Sequence, residues 1–121
     1  MRLSVEQELY ANSMKRLLGL DDWEIVYQLI DDKLGDALAQ ELSRPDYREA
    51  VITISLPALR ESQAKGFADS VERLLLHELC EVKVEECFRD VDTSLADSAA
   101  LLRARDLVAD SIRRIVERVA R

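Results

Sequence analysis

Five consecutive residues, His77-Glu78-Leu79-Cys80-Glu81, hold the densest chemistry in this chain. Residues four apart on a helix stand one turn apart on the same face. His77 and Glu81 can therefore aim an imidazole nitrogen and a carboxylate oxygen at one point beside the helix. Ligand distances of about 2.0–2.2 Å from such atoms suit zinc. Glu78 follows the first ligand directly. It points to the neighbouring edge of the same sector, placed to touch a metal-bound water rather than the metal. His77 is the only histidine in the chain, so no second imidazole is available. One neutral nitrogen with carboxylates is a harder ligand set than two imidazoles with one carboxylate, and it admits manganese or magnesium beside zinc.

The bland reading is a hydrogen-bonded core histidine among ordinary acids. Glu81 and Glu85, also four apart, repel each other unless a cation lies between them. That cation is either a metal ion or one of Arg103, Arg105, Arg113 and Arg114 from the last part of the chain. In the second case the cluster is a buried His–Glu–Arg network. Cys80 points about 60° away from His77 on the wheel and reads as core. Trp23 and Tyr27 read as core or cross-strand residues, and Tyr47 lies on a loop from which it could assist a site.

The elements that must position the cluster follow from periodicity. Phe67 to about Phe88 reads as one long helix, apolar over most of its surface and therefore central. Ser70, His77, Glu78, Glu81 and Glu85 converge on a sector roughly 100° wide. Ser4-Val5-Glu6-Gln7 is a capping box that opens a helix to about Leu18, and Gly19 closes it. Trp23, Ile25, Tyr27 and Leu29 alternate with their neighbours as a strand does. Ala50 to Leu56 is the clearest strand, with Pro57 after it. Ala37 to Leu42 suits either a helix or a short hairpin arm. Residues 58 to 66 read as a connector. Asp90 to Thr93 breaks the long helix, and Thr93 or Ser94 caps a final one running nearly to Arg121. Its apolar stripe is Leu101, Ala104, Val108, Ile112, Ile115 and Val119. The order predicts a single α+β domain over residues 1–121, with a small antiparallel sheet packed on a central helix and on N- and C-terminal helices.

Composition narrows the class of function. A chain of 121 residues suits one core. Acids outnumber bases, 24 against 17, for a formal charge of −7. Phosphate contacts need clustered Lys and Arg, so no nucleic-acid partner is expected. The acids form no patterned stripe, which ranks an acidic mimic of nucleic acid last. No segment has the roughly 20 apolar residues that cross a bilayer, so no membrane partner is expected. Cys80 and Cys87 are about 10 Å apart along one helix, too far for a mutual disulfide. Two unpaired thiols suggest the cytoplasm.

The segment Leu74-Leu75-Leu76-His77-Glu78-Leu79-Cys80-Glu81-Val82 resembles the metal-binding helix of zincin-type metallopeptidases, H-E-x-x-H. The wider chain is similar to short, single-domain zincin-like metallopeptidases frequent in phages and prophages. The likeness runs over roughly residues 20 to 120 and includes Trp23-Glu24-Ile25-Val26 and Arg48 to Ile54. Glu81 stands where that motif has its second histidine. The resemblance implies a zinc-dependent hydrolase acting on a peptide or protein, with Glu78 as general base. It also implies a third ligand on the C-terminal helix. Asp106, in Arg103-Ala104-Arg105-Asp106-Leu107-Val108, matches that position best, with Asp97 and Asp110 as alternatives. The strand Val51 to Ser55 is expected to dock an extended peptide by edge pairing. The other outcome is a catalytically inactive scaffold of the same fold that acts as a protein-interaction module.

Overall fold

A computed structural model describes residues 2–88 and 98–119; within 98–119 the side chains of 98–102 and 105 are left undescribed. Helix α1 spans Val5–Leu17. Its capping box forms as the sequence predicts: the Ser4 hydroxyl accepts from Gln7 N–H, and the Gln7 side chain accepts from Ser4 N–H. Gly19 then takes φ 68°, where a Cβ would be strained.

Three strands follow: β1 (Glu24–Ile30), β2 (Ala39–Arg44) and β3 (Glu49–Ser55). The ambiguous segment after residue 36 is thus a strand. The sheet is mixed rather than antiparallel. Its order is β1-β3-β2, with β3 parallel to β1 and antiparallel to β2. Alternation fixes which face of a strand is buried but not which strand lies beside it, so β3 enters between its two predecessors without any signal in their pattern. β3 is therefore the central strand. Both its edges are used, and the expectation that Val51 to Ser55 receives a peptide by edge pairing is overturned.

Residues 58 to 66 are not a plain connector. Helix α2 spans Leu56–Ala64, with Ser55 as its cap; the Ser55 hydroxyl accepts from Ala58 N–H. Pro57 therefore starts a helix as much as it ends a strand, because its fixed φ suits the first turn. The long helix begins later than its periodicity suggests. Helix α3 spans Val71–Phe88, and Ser70 caps it by accepting from Arg73 N–H. Phe67 lies on the approach to it.

Eight residues of α3 are buried: Leu74, Leu75, Leu76, Glu78, Leu79, Cys80, Val82 and Val84. All but Glu78 meet Ala50, Ile52 and Ile54 of β3, Ala11 and Met14 of α1, and Trp23 in one core. The Trp23 indole donates to Glu86 at 2.6 Å, which ties the start of β1 to the end of α3. Helix α4 spans Ser98–Val119 and packs on α3. Its buried side is not the stripe expected from sequence. Ala109 and Val116 are buried, with Ile112 and Arg113 partly so, whereas Val108, Ile115 and Val119 are exposed. The buried side is thus rotated from the predicted stripe and includes the partly buried Arg113, which pairs with Asp110 and Glu117 of its own helix. The break at Asp90 to Thr93, the Thr93 or Ser94 cap and Asp97 lie outside the described residues.

A candidate metal centre on the central helix

The polar sector of α3 opens into a groove of about 520 Å³. His77 and Glu78 line its floor. Ala37, Leu38 and Ala39 at the start of β2 form one wall, Phe67 and Leu74 add apolar surface, and Asp110 and Arg113 come from α4. The α3 backbone places the cluster, and the burial of Leu75, Leu76 and Leu79 fixes the helix's rotation.

His77, Glu78 and Glu81 each bring one ligand atom into a group whose members all lie within 4.8 Å of one another. His77 Nε2 lies 3.3 Å from Glu81 Oε1. Two ligands at 2.0–2.2 Å from a tetrahedral ion are separated by roughly 3.4 Å, so the spacing suits either a shared cation or an imidazolium–carboxylate pair. The Glu81 carboxylate beside it holds the His77 imidazolium above its ordinary range; burial opposes this, and the Glu78 charge supports it. A metal ion would have to displace that proton.

Glu78 is the unusual member. It is only 5% exposed, and its Oε2 is buried without a hydrogen-bond partner. Burial pushes its pKa up to about 7, with the Glu81 charge adding to the rise, His77 opposing it and Glu41 adding again. A buried carboxylate oxygen that nothing satisfies is costly, on the order of several kcal/mol when charged. Among the described side chains no arginine relieves it: Arg113 binds Asp110 at 2.7 Å and Glu117 at 3.0 Å, and Arg114 binds Asp110 at 3.0 Å. Arg103 is exposed, and the side chain of Arg105 is outside those described. Among the described side chains, no arginine of the expected His–Glu–Arg network meets the Glu78 Oε2. The residues present fit a divalent cation by donor type, by spacing and by this orphaned oxygen.

The structure does not bring the third expected ligand to the cluster. Asp106 is exposed on α4 and is not among the groove-lining residues. Asp110 does line the groove, but its carboxylate is held by two guanidinium groups. Glu78, expected beside the ion, lies within the ligand group itself.

No sequence signal marked Glu41, whose charge adds to the rise at Glu78. Ala39, Glu41 and Ser43 are the partly buried residues of β2, alternating with exposed neighbours. Glu41 sits opposite Ile52, which is fully buried in the core. A carboxylate on the core face of a strand was legible only once residues 39–44 were known to be a strand.

Cys80 is buried among the apolar side chains, as expected. Burial pushes its thiol up to about 12, which suits packing rather than ligation. Tyr47 does not reach the site. It lies in the β2–β3 turn under the Arg44 guanidinium, 4.3 Å from ring centre, at the opposite end of β2 from the groove. No known family model, curated protein or solved structure matches the chain. Among the described residues, no helix is long and apolar enough to cross a membrane.

Proposed function

We propose that the chain is a metal-dependent hydrolase of zincin-like type, acting on a peptide or protein. The orphaned, buried carboxylate oxygen of Glu78 beside His77 and Glu81, on the floor of an open groove, carries this reading. His77 and Glu81 would hold the ion, zinc or another divalent metal, and Asp106 remains the ligand that family likeness suggests. When bound, such an ion makes water acidic enough to lose a proton near neutral pH and polarises a carbonyl oxygen. Glu78 then accepts the water's proton. A base is most effective with a pKa close to the working pH, and burial has already raised this one to about 7. The carboxylate later returns the proton to the leaving amine.

β2 is the one of the sheet's two edge strands that borders the groove, and it supports a peptide substrate. Ser55 N–H donates to Leu38 C=O at 2.9 Å. With the alternating bonds of an antiparallel pair, residues 38, 40, 42 and 44 turn their backbone groups toward β3. The backbone groups of Ala39, Glu41 and Ser43 then face away from it. Ala39 also lines the groove. An extended peptide paired along that edge would pass over His77 and Glu78.

The test is direct. Protein stripped with a chelator should take up one zinc or manganese ion and melt at higher temperature with it. It should cleave a mixed fluorogenic peptide pool, and Glu78→Gln should lose turnover while keeping the ion. No uptake and no thermal shift with any divalent ion ends the proposal. One observation favours a second reading, an inactive scaffold that binds other proteins. Leu107, Ile115 and Val119 are exposed together on α4, and apolar surface of this kind often marks an interface. A scaffold would have no turnover for Glu78→Gln to remove.

A further inference from the structure

We propose that the groove beside the cation cluster receives the C-terminal residue of a peptide, with a large apolar side chain against Phe67 and the terminal carboxylate at Arg73. This rests on the hydrolase reading above and deepens it by naming the substrate class: peptides that end in a large apolar residue and are shortened from that end. Three observations meet here. The first is Phe67, which lines the groove with Leu38 and Leu74 and is 65% exposed. Leaving a phenylalanine in water forgoes roughly 1.5–3 kcal/mol of burial. The linker that carries it is tied to α2 on both sides of the ring. Phe67 N–H donates to Ser62 C=O at 3.2 Å, and the Gln63 side chain donates to Asp69 C=O at 3.0 Å. The ring is therefore held at the open groove, where a substrate side chain can cover it.

The second observation is Arg73, one turn before His77 on α3. Arg73 and Arg113 both line the groove. Arg113 is taken by Asp110 and Glu117. Arg73 makes no ion pair among the described residues, and its Nη1 donates to Ala68 C=O at 3.1 Å. That bond orients the guanidinium and leaves its other N–H groups for a ligand. A guanidinium grips a carboxylate with two parallel bonds. Asp69, the linker acid beside it, accepts instead from the Ser62 hydroxyl. The third observation is strand direction. Antiparallel pairing is the commoner mode, and a peptide antiparallel to β2 brings its C-terminal end to the start of that strand. There Ala37, Leu38 and Ala39 wall the groove.

The experiment gives the full chain zinc chloride and acetylated peptides that differ only at the C-terminus, and reads cleavage by mass spectrometry. The peptide ending in phenylalanine should lose that residue. Its C-terminal amide, a peptide ending in alanine, and an amide in which glutamate follows phenylalanine should each be cut about tenfold more slowly or worse. Equal cutting of either amide removes the terminal carboxylate from recognition, and equal cutting of the alanine peptide removes the apolar subsite. Each of these overturns the proposal and leaves the hydrolase reading standing. Arg73→Gln should raise KM for the phenylalanine peptide about tenfold, with kcat kept and the amide unaffected; a merely structural role would slow both peptides alike. Phe67→Ala should bring the phenylalanine peptide down to the level of the alanine one. Both residues are exposed, so neither change removes core packing. Binding supplies a readout without turnover. By ligand-observed nuclear magnetic resonance, the metal-free chain should hold N-acetylphenylalanine about tenfold more tightly than its amide, and Arg73→Gln should abolish the difference. If that preference holds while no peptide is cut, the hydrolase reading falls and the subsite stands. Absence of the preference in wild type overturns the proposal.

Discussion

Two helices bring acids to the same groove, Glu78 from α3 and Asp110 from α4, and the chain treats the two helices' acids in opposite ways. On α4, Asp110 and Glu117 are matched to Arg113 and Arg114 at i,i+3 and i,i+4 spacing. The Arg113 guanidinium holds the Asp110 carboxyl below its ordinary range. On α3, Glu78 is buried without a cation, and its pKa rises. One set is arranged for the stability of an ion-paired helix. On the other helix, Glu78 is left unsatisfied at a cost to stability, which is how functional carboxylates commonly differ from structural ones. The contrast teaches that acid content along a helix says little until its partners are known.

The largest effect should come from removing the unsatisfied group. Glu78→Gln is expected to lower peptide turnover by on the order of 10²–10⁴-fold, as for loss of a general base, with metal uptake retained. Undiminished turnover in a peptide-cleavage assay would erase the functional half of the comparison.

The same substitution should stabilise the metal-free protein. The folded-state pKa of Glu78 is about 7, above its ordinary 4.5. At roughly 1.4 kcal/mol for each pH unit between those values, the gain at pH 8 is on the order of 3 kcal/mol. Urea unfolding in the presence of chelator measures it, and an unchanged or lower midpoint would mean that Glu78 is satisfied after all.

A pH series sharpens the contrast further. The folded chain binds the Glu78 proton more tightly than the unfolded chain does. That contribution is complete below pH 4.5 and drains away as pH rises through about 7. His77 is raised as well, so its contribution also fades with rising pH, above its ordinary 6.5. Metal-free wild type should therefore lose stability between about pH 5 and 8. Glu78→Gln should flatten the lower part of that slope and leave the His77 part.

The smallest effect belongs to α4. The lowered pKa of Asp110 works in the opposite sense: its stabilisation is present above the ordinary 3.8 and lost as pH falls below it. Asp110→Asn should lower the melting temperature modestly at pH 7, less than a core truncation such as Leu79→Ala, for which about 2–5 kcal/mol is typical. Metal affinity should not change. A loss of metal binding in Asp110→Asn would place α4 in the site and break the comparison from its other side.

The local chemistry of the chain was legible in its residues. Ser4 and Gln7 specified a helix start, because both partners of a capping box lie within one turn. The period-two run from Trp23 to Leu29 specified a strand, and the spacing of His77, Glu78 and Glu81 specified one shared face, since a helix converts sequence interval directly into angle. What required the folded molecule is everything that depends on partners distant in the chain. The insertion of β3 between β1 and β2 turned an expected antiparallel sheet into a mixed one and left β1 and β2 as its edges. The inward row of β2 then brought Glu41 opposite Ile52. α4 buries Ala109 and Val116 in the core, leaving Asp106 in solvent, and Arg113 and Arg114 neutralise Asp110. Periodicity is a property of one element, whereas pairing, register and ion-pair choice are settled by which element lies alongside, and no single stretch of sequence contains that information.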